Sequence, residues 1–303
     1  MRIGVVGIGG VGGYYGGKLA WKYEKPDQHQ IIFISRGEHL KAIQKNGLLL
    51  HTRDGNYIVR PNIATDNPAK AGIFDLVFFC TKSYSLESSA QQFSSCIDKN
   101  TIVIPLLNGV NSARRLSAIL PQATVISGSA YIISHIERPG FVYQKEGPGK
   151  LVFGTDDESA PKCKNILDIL LVSKIKAILT DKISKVLWEK YMLICSLASL
   201  TADTGKTYGA IMEDANLRRK LKAMMKEVLA VALARGVFLS ENCMNKAMQL
   251  IGNASYDSKT SFQLDMERGK QKELDILTEY LCKEGRKMGV PTPLHDEIYA
   301  KLK

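Results

Sequence analysis

Residues 1–13 read MRIGVVGIGGVGG, an apolar run that leads directly into a group of glycines. The apolar run predicts a buried strand, and the residues from Tyr14 to Tyr23 that follow the glycines have a helical pattern. Three glycines have the spacing GxGxxG. We expect Gly7 to make a tight turn, Gly9 to let a pyrophosphate approach the backbone, and Gly12 to let the helix lie close to the strand. The stretch therefore predicts a strand-turn-helix unit that binds a dinucleotide; the alternative is that the glycines serve only turns.

The end of the second predicted strand indicates which dinucleotide is bound. This strand, Ile31 to Ile34, is followed by Ser35 and Arg36, at the place where an acid would bind the free ribose of NAD. An arginine there pairs instead with a 2'-phosphate through charge-assisted hydrogen bonds. Glu38 keeps an NAD interpretation open, and the alternative for Arg36 is an exposed charge at a strand end. The sequence thus predicts NADP(H) as the cofactor, with its phosphates at a helix N-terminus formed by Gly7, Ile8, Gly9, Gly10, Val11 and Gly12.

The length and composition of the chain are typical of a two-domain globular protein. With 303 residues the chain is too long for the usual single core, and its hydrophobic share of 45% is ordinary. The net charge of +11 is spread along predicted surface helices such as residues 218–226, without a basic patch interleaved with aromatic residues. We therefore expect no nucleic-acid partner, and only a general attraction for an anionic cofactor and a small carboxylate substrate.

The sequence also indicates in which cellular compartment the protein is expected. No apolar run approaches the roughly 20 residues that span a bilayer, and the N-terminus reads as a strand, so we expect no membrane partner and no cleavable signal. The six cysteines are scattered without a CxxC pair, and the histidines do not cluster. We therefore expect a cytoplasmic protein with incidental thiols and without a metal site.

Up to about residue 180 the pattern alternates between strands and helices. The runs FDLVFFC (residues 74–80) and TIVIPL (residues 101–106) are nearly continuous and apolar, as in buried parallel strands. This succession predicts a doubly wound parallel sheet with a ligand site at the carboxyl ends of its strands. Residues 47–60 and 130–154 contain strand-turn-strand patterns, which we expect as antiparallel additions to that sheet.

After about Asp181 the pattern changes to long helices, predicted over 182–202, 214–235, 241–254 and 271–288. The expected fold class is α/β, with an N-terminal Rossmann-type doubly wound sheet followed by an all-helical C-terminal domain. We place an NADP-binding domain at residues 1–181 and a helical substrate and catalytic domain at residues 182–303. Cofactor groups from the first domain and substrate groups from the second would put catalysis in a cleft between them.

One lysine in the helix predicted over residues 182–202 is a candidate catalytic residue. The polar side of that helix is formed by Lys185, Glu189, Ser196 and Ser199. Lys190 lies on the opposite side among apolar residues, and burying an unpartnered ammonium group is costly. Such a lysine is either functional, or packs its stem while its charged head reaches solvent.

Glu273 repeats this pattern with the opposite charge in the helix predicted over residues 271–288. It shares a face with four apolar residues, Ile276, Leu277, Tyr280 and Leu281. Lys190 and Glu273 are therefore candidate partners. The alternative for Glu273 is an acid in the first helical turn, where the helix dipole favours a negative charge.

A carbonyl reduction would use such a lysine. Hydride transfer from a nicotinamide leaves an alkoxide that an acid must protonate, and a positioned acid contributes roughly 10² to 10⁴ in rate. None of the five histidines is an obvious candidate for this role. We therefore predict Lys190 as the proton donor and Glu273 as a second catalytic residue.

Three further residues stand where this kind of fold presents ligands. Lys82 follows the strand of residues 74–80, Asn108 follows the strand of residues 101–106, and Ser261 precedes a helix-like run. The alternatives are an exposed loop lysine for Lys82, a turn-forming Asn-Gly pair for Asn108 and a helix N-cap for Ser261.

Seven segments of the chain resemble the ketopantoate reductase (2-dehydropantoate 2-reductase) family. They cover essentially the whole chain in the family's order and approximate spacing: MRIGVVGIGGVGG, ISRGEHL, CTKSYSLE, PLLNGV, ISGSAYI with ERPGFVY, LWEKYMLI and SFQLDMERGKQKELDIL. The resemblance implies an NADPH-dependent reduction of 2-dehydropantoate to pantoate, a step toward pantothenate and coenzyme A.

The resemblance also implies a role for each matching residue. The family's catalytic lysine falls on Lys190, and its glutamate near the nicotinamide ribose falls on Glu273. Its cofactor-contacting loop lysine matches Lys82, the asparagine of its Asn-Gly loop matches Asn108, and its substrate-contacting serine matches Ser261. On this basis we expect Asn108 to contact both cofactor and substrate.

The chain departs from the family pattern after the catalytic lysine. Ile194 and Ala198 stand one and two helical turns beyond it, where the family has substrate-binding asparagines, and Tyr208 stands in place of a third. Fewer amides mean fewer hydrogen bonds to a polar substrate. The protein therefore either holds 2-dehydropantoate differently, through Thr201, Ser196 or Tyr208, or reduces another 2-oxo acid.

Two further expectations concern activity and assembly. A protein that senses NADP(H) without catalysis is an alternative to an enzyme, but Lys190 and Glu273 on apolar faces argue against it, because a sensor needs neither. An exposed apolar patch on the helical domain would allow a homodimer.

Overall fold

The computed structural model describes residues 1–25, 28–157 and 163–303. These residues form two compact units: unit 1 consists of Met1–Leu107 with Asn111–Ile183, and unit 2 of Asn108–Val110 with Ser184–Lys303. The fold class expected from the sequence is confirmed, because unit 1 contains a doubly wound parallel sheet and unit 2 is helical. The domain boundary expected after Asp181 stays a prediction.

The first sheet of unit 1 is parallel. The described strands of unit 1 are β1 (Arg2–Val6), β2 (Gln30–Ile34), β3 (Leu48–Thr52), β4 (Gly55–Val59), β5 (Ile63–Thr65), β6 (Leu76–Phe79), β7 (Ile102–Pro105), β8 (Thr124–Val125), β9 (Ser127–Arg138), β10 (Phe141–Gly154) and β11 (Lys176–Thr180). The order in the first sheet is β5-β2-β1-β6-β7-β8, and every neighbouring pair runs parallel. The chain order reverses between β1 and β6, which is where doubly wound sheets bind ligands.

The described helices of unit 1 are α1 (Gly10–Lys22), α2 (Gly37–Asn46), α3 (Pro68–Ala71), α4 (Leu86–Gln92), α5 (Ser112–Ile119) and α6 (Lys164–Val172). The core of unit 1 has two parts, one on each face of the parallel sheet. On one face, α1 packs with Phe33 and Phe78; on the other, Phe79 and Val103 pack in a second cluster.

The strand-turn-strand segments form a second sheet, so the expectation that they extend the first sheet was wrong. The order of this sheet is β11-β10-β3-β4, and β9 pairs antiparallel with β10. Strands β3 and β10 run parallel, with Leu49 opposite Phe141. The physical reason is α1, which packs against both sheets and therefore separates them.

Glycines on two sides of α1 make this arrangement possible. A Cβ atom at Gly16 would lie 3.1 Å from Phe33 of the first sheet. A Cβ at Gly13 would lie 2.5 Å from Val142 of the second sheet, and one at Gly17 would lie 2.7 Å from Leu50 in the same sheet. Real Cβ contacts are rarely this short. Larger side chains would therefore push at least one sheet away from the helix.

Unit 2 is built from helices around one apolar cluster. The described helices are α7 (Ile183–Thr204), α8 (Tyr208–Glu213), α9 (Ala215–Ala234), α10 (Glu241–Gly252), α11 (Ser261–Glu267), α12 (Thr278–Met288) and α13 (Pro293–Leu302). Tyr191, Leu197, Met224 and Leu281 belong to the cluster, which joins α7, α9 and α12.

Helix α7 is buried on more sides than its polar pattern suggests. Ser196 and Ser199, which we placed on a polar side, are completely buried. The hydroxyl groups of Ser199 and Thr278 are 2.7 Å apart and share a hydrogen bond. Polar side chains of α7 thus contact other helices of unit 2, and only Lys185 of the predicted polar set is exposed.

The continuous helix predicted over residues 271–288 was wrong. Residues 274–276 form a short 3₁₀ turn, and α12 begins only at Thr278. At Leu277 the backbone leaves the helical conformation, with φ −106° and ψ −109°. The Leu277 carbonyl accepts a 3.1 Å hydrogen bond from the Leu281 amide, the first of α12, and a 2.7 Å hydrogen bond from the Tyr191 hydroxyl. Glu273 therefore precedes the 3₁₀ turn in a non-helical, half-buried position, and does not lie in a first helical turn.

The six cysteines have free thiols, and five of them are buried. Within residues 1–25, 28–157 and 163–303, no helix combines the length and the apolar character required to cross a membrane.

The glycine turn gives a paired test of this packing. A Cβ at Gly10 would lie 2.0 Å from the carbonyl oxygen of Ser134 in β9, whereas one at Gly9 would have no atom within 4 Å. We expect Gly10→Ala to lower the free energy of unfolding by roughly 1–3 kcal/mol or more, because the obstacle is backbone. Gly9→Ala is the control and should change it little. Urea unfolding of both variants measures this; equal stabilities would contradict the packing of β9 on the turn.

Candidate active site

The glycine turn after β1 has the geometry required for close approach of a ligand. Gly7 has φ 91°, a left-handed value that favours glycine, and a Cβ at Gly12 would lie 2.1 Å from the Gly7 carbonyl oxygen. Open space adjoins Gly9. Because the first amides of a helix lack intrahelical partners, α1 presents hydrogen-bond donors beside this space. The turn fits a pyrophosphate, and its assignment to cofactor binding stays a prediction.

Strand β9 and helix α2 also reach this turn, which the sequence did not reveal. The backbone of β9 lies against Gly10, and the β9–β10 turn is tied to α2 because the Gly140 amide donates a 3.0 Å hydrogen bond to Nδ1 of His39. Burial lowers the pKa of His39 below its ordinary value, so the neutral ring can accept this bond near neutral pH. Because Gly140 and His39 are about a hundred residues apart in the chain, no local sequence pattern indicates this contact.

The two candidates for recognition of the cofactor ribose differ in their surroundings. Arg36 is exposed in an extended conformation at the N-terminal end of α2. Glu38 lies in the first turn of that helix, and its carboxylate forms a 2.8 Å ion pair with Lys41. The second residue after β2 is therefore the basic Arg36, while the carboxylate of Glu38 is paired with a neighbouring lysine.

Lys82 lies beside the glycine turn in the fold of unit 1. It is exposed and directly precedes a 3₁₀ turn at residues 83–85, just after β6. The preceding residue, Thr81, packs against Gly7, and its hydroxyl has no hydrogen-bond partner in the described part of the chain. The sequence did not indicate Thr81 as a candidate site residue. The structure does, because a buried hydroxyl without a hydrogen-bond partner calls for an explanation.

Asn108 belongs to unit 2 and is half-buried. The following residue, Gly109, has φ 92°, and a Cβ there would lie 3.2 Å from Ile276. The Asn-Gly loop is therefore packed closely on the segment that carries Glu273 three residues earlier. The Asn-Gly pair forms a turn in the structure. The contact of Asn108 with cofactor and substrate stays a prediction.

Lys190 lies in α7 and is partly exposed. Desolvation lowers the pKa of its ammonium group to about 8. Lys18, which is buried, shows the contrast. Burial alone would lower its pKa, but Tyr14 and Asp54 raise it above the ordinary value, and its Nζ lies 3.1 Å from the Asp54 carboxylate. Lys190 thus combines access to solvent with a pKa lowered toward neutrality, as a proton donor needs.

The residues that follow Lys190 along the same face of α7 are apolar. Leu193 and Ile194 are partly exposed, and Ala198 is buried. Residues three and four apart are neighbours on a helix surface, so the ammonium group lies next to aliphatic side chains. The hydroxyl of Thr201, a candidate replacement for a family asparagine, is completely buried and bonds to Thr260 at 2.9 Å.

Ser261 is exposed as the first residue of α11. The helix N-cap is the preceding residue, Thr260, whose side chain accepts a 3.1 Å hydrogen bond from the Gln263 amide. The N-cap alternative for Ser261 was therefore wrong. Its contact with substrate, and the proposed partnership of Lys190 with Glu273, stay predictions.

Comparisons with known proteins agree along the whole chain. Residues 3–158 match the family model described as ketopantoate reductase PanE/ApbA, and residues 182–303 match its C-terminal counterpart. A 2-dehydropantoate 2-reductase of Mesorhizobium japonicum is 27% identical, with 100% of this chain and 97% of the relative covered. A Bacillus subtilis protein described as the uncharacterized oxidoreductase YkpB is also 27% identical, with 100% and 98% covered.

Solved structures show the same relationship. The crystal structure of a PanE/ApbA family ketopantoate reductase from Ralstonia eutropha is 29% identical and superposes with a TM-score of 0.89, covering 100% of this chain and 97% of that one. A D-mandelate dehydrogenase bound to NADH and anilino(oxo)acetate shares the fold at 20% identity, with a TM-score of 0.87 and coverage of 99% and 96%. The chain is therefore an oxidoreductase that belongs to the ketopantoate reductase PanE/ApbA family.

Proposed function

We propose that this protein reduces a 2-oxo acid with NADPH, and that 2-dehydropantoate, reduced to pantoate for pantothenate and coenzyme A biosynthesis, is its first candidate substrate. The observation that carries the proposal is the lowered pKa of Lys190 in a chain whose two parts match the family model. The family relatives named 2-dehydropantoate 2-reductase support the choice of substrate. Six free thiols fit a reducing compartment, so we place the reaction in the cytoplasm.

Lys190 supplies the proton in this proposal. NADPH, when bound, would supply a hydride to the carbonyl carbon of the substrate, leaving NADP⁺. The ammonium group of Lys190 gives its proton to the carbonyl oxygen, which becomes the hydroxyl of the product, and Lys190 recovers a proton from water. A pKa of about 8 leaves the lysine mostly protonated at neutral pH yet acidic enough to donate.

The other candidate residues divide between cofactor and substrate. Gly7 to Gly12 bind the pyrophosphate, and Arg36 pairs with the 2'-phosphate. We assign Lys82, Asn108 and Glu273 to the rest of the cofactor, Glu273 at the nicotinamide ribose as the resemblance implies. Asn108 and Ser261 hold the substrate carboxylate.

A second candidate substrate class is supported by the side chains beside Lys190. Leu193 and Ile194 present aliphatic carbon, which favours a 2-oxo acid with an apolar side chain over one with a second hydroxyl group. The D-mandelate dehydrogenase with the same fold was solved with anilino(oxo)acetate, an oxo acid derivative bearing an aromatic group. The same Lys190 chemistry serves either class.

The substrate panel is the experiment that tests the proposed function. Oxidation of NADPH is followed by its absorbance with 2-dehydropantoate and with branched, straight and aromatic 2-oxo acids, for the native protein and for Ile194→Asn. We expect turnover of at least one 2-oxo acid, and a shift of Ile194→Asn toward 2-dehydropantoate because it adds an amide one turn from Lys190. Cofactor binding without turnover of any acid would favour a non-catalytic NADP(H) sensor.

Replacement of Lys190 tests the proton donor. We expect Lys190→Ala to lower kcat roughly 10² to 10⁴-fold, with little change in NADPH affinity. In the native protein, kcat should fall as pH rises through about 8, because Lys190 loses its proton there. Lys190→Arg is the control, since an arginine stays protonated and should move that fall to higher pH if it retains activity. Near-normal turnover by Lys190→Ala would exclude this role.

Replacement of Arg36 tests the choice of cofactor. Charge-assisted hydrogen bonds contribute about 1.5–3 kcal/mol each, so we expect Arg36→Ala to raise the KM for NADPH about 10- to 100-fold. The KM for NADH should change little, because NADH carries no 2'-phosphate. Steady-state kinetics with both cofactors measures the difference; Glu38→Gln is the control and should leave the preference for NADPH in place. Equal effects of Arg36→Ala on both cofactors would count against the assignment.

A further inference from the structure

The segment that carries Lys82 passes from an exposed residue to a fully buried one in a single step. Lys82 is exposed, and the next residue, Ser83, is completely buried. The Lys82 carbonyl accepts a 3.0 Å hydrogen bond from the Ser85 amide, and the Ser83 carbonyl accepts one from the Leu86 amide at the start of α4. The orientation of the Lys82 side chain therefore depends on how the backbone of Ser83 is fixed.

Arg115 of α5 contacts both this segment and the neighbouring helix α4. Its Nη2 atom donates to the Ser83 carbonyl oxygen at 3.0 Å. The same guanidinium donates from Nε and Nη2 to the two carboxylate oxygens of Glu87 in α4, at 2.5 and 2.8 Å. One side chain thus joins α5, α4 and the residue next to Lys82.

The geometry of these contacts requires an arginine. Two parallel hydrogen bonds to a carboxylate fix the plane of the guanidinium, and this plane aims Nη2 at the Ser83 carbonyl. The side chain of Arg115 is only 20% exposed, so the interaction is shielded more than an ordinary surface ion pair. The hydrogen bonds from Arg115 hold the pKa of Glu87 below its ordinary value, which keeps the carboxylate charged near neutral pH.

We propose that Arg115 is a positioning residue for cofactor binding, which acts by holding Ser83 so that Lys82 is presented in one direction. This inference rests on the proposed role of Lys82 in binding the cofactor. Arg115 itself has no assigned contact with the cofactor. Supporting residues of this kind restrict the motion of a ligand-binding side chain and lower the entropy lost on binding.

The chain offers a matched control one residue away. Arg114 is in the same helix and has the same charge, but it is exposed. Replacement of either arginine removes one positive charge from α5, so a loss of long-range attraction for an anionic cofactor affects both variants alike. Arg115 is the one of the two whose guanidinium is described as bonding to the Ser83 carbonyl and the Glu87 carboxylate.

The test is a double-mutant cycle on cofactor binding. Dissociation constants for NADPH and NADH are measured by calorimetry for the native protein, Arg115→Ala, Lys82→Ala, the double variant and Arg114→Ala. We expect Arg115→Ala to weaken both cofactors by about the same factor, on the order of fivefold, and Arg114→Ala to have little effect. Once Lys82 is absent, removal of Arg115 should cost almost nothing more, because the two residues act through one another.

Hydrogen exchange provides a readout without cofactor. In Arg115→Ala, the amides of residues 83–88 should exchange faster than in the native protein, while exchange in β1 and β6 stays unchanged. If Arg115→Ala is too unstable to study, Arg115→Lys serves instead; a lysine can reach the carboxylate or the carbonyl but not both, so a smaller shift in the same direction is expected.

The outcomes separate this inference from the proposed function. If Lys82→Ala leaves both dissociation constants unchanged, the cofactor role of Lys82 and the inference fall together. If Lys82→Ala weakens binding but the effects of Lys82 and Arg115 simply add, the inference alone is overturned. Unchanged exchange at residues 83–88 in the Arg115 variant would also overturn it, since the arginine would then not hold the segment.

Discussion

The close packing of α1 between two sheets is the constraint on which unit 1 depends. Gly13 and Gly17 admit Val142 and Leu50 of the second sheet, while Gly16 admits Phe33 of the first. A helix normally keeps sheets at a distance set by its side chains, and removing Cβ atoms on two sides shortens both distances. The loss of helix propensity at several glycines, about 1 kcal/mol each, is offset by apolar burial on both faces.

The same helix begins at the glycine turn that we propose for phosphate binding, so neighbouring residues set both the packing and the proposed site. At Gly10 the space is filled by the backbone of β9, and at Gly9 it is open. Gly10 thus allows the second sheet to pack against the turn, and Gly9 leaves room for a ligand. Because β9 is held there by backbone contact and through Gly140 by His39, the shape of the turn depends on the second sheet as well as on β1.

What the sequence predicts correctly is local, and what it misses depends on distant partners. Apolar runs located the parallel strands, and the glycine spacing located the turn. The second sheet was missed because Leu49 pairs with Phe141, about ninety residues away, and a local pattern does not distinguish one sheet from another. The helix predicted over residues 271–288 was too long, because the backbone leaves the helical conformation at Leu277. The Leu277 carbonyl there bonds to the hydroxyl of Tyr191, 86 residues away in the chain, and a local pattern does not show such a contact. Among the candidate residues, sequence indicated Lys190 by its apolar face but gave no sign of Thr81 or Arg115.

The burial of α7 bears on how such an enzyme would select its substrate. The hydroxyls of Ser199 and Thr201 bond to other residues of unit 2. The side chains that follow Lys190 on its face of α7 and are partly exposed are therefore the aliphatic ones of Leu193 and Ile194. An aliphatic surface distinguishes substrates that differ by a methylene only about 10- to 200-fold, whereas unmet hydrogen bonds distinguish far more strongly. The residues of α7 would therefore select substrates by shape, and would accept a broad range of them. Every 2-oxo acid carries the same carboxylate, so groups that hold it, for which Asn108 and Ser261 are the candidates, would orient the substrate without choosing among these acids. Any sharp preference therefore has to come from polar groups that contact the variable side chain of the substrate.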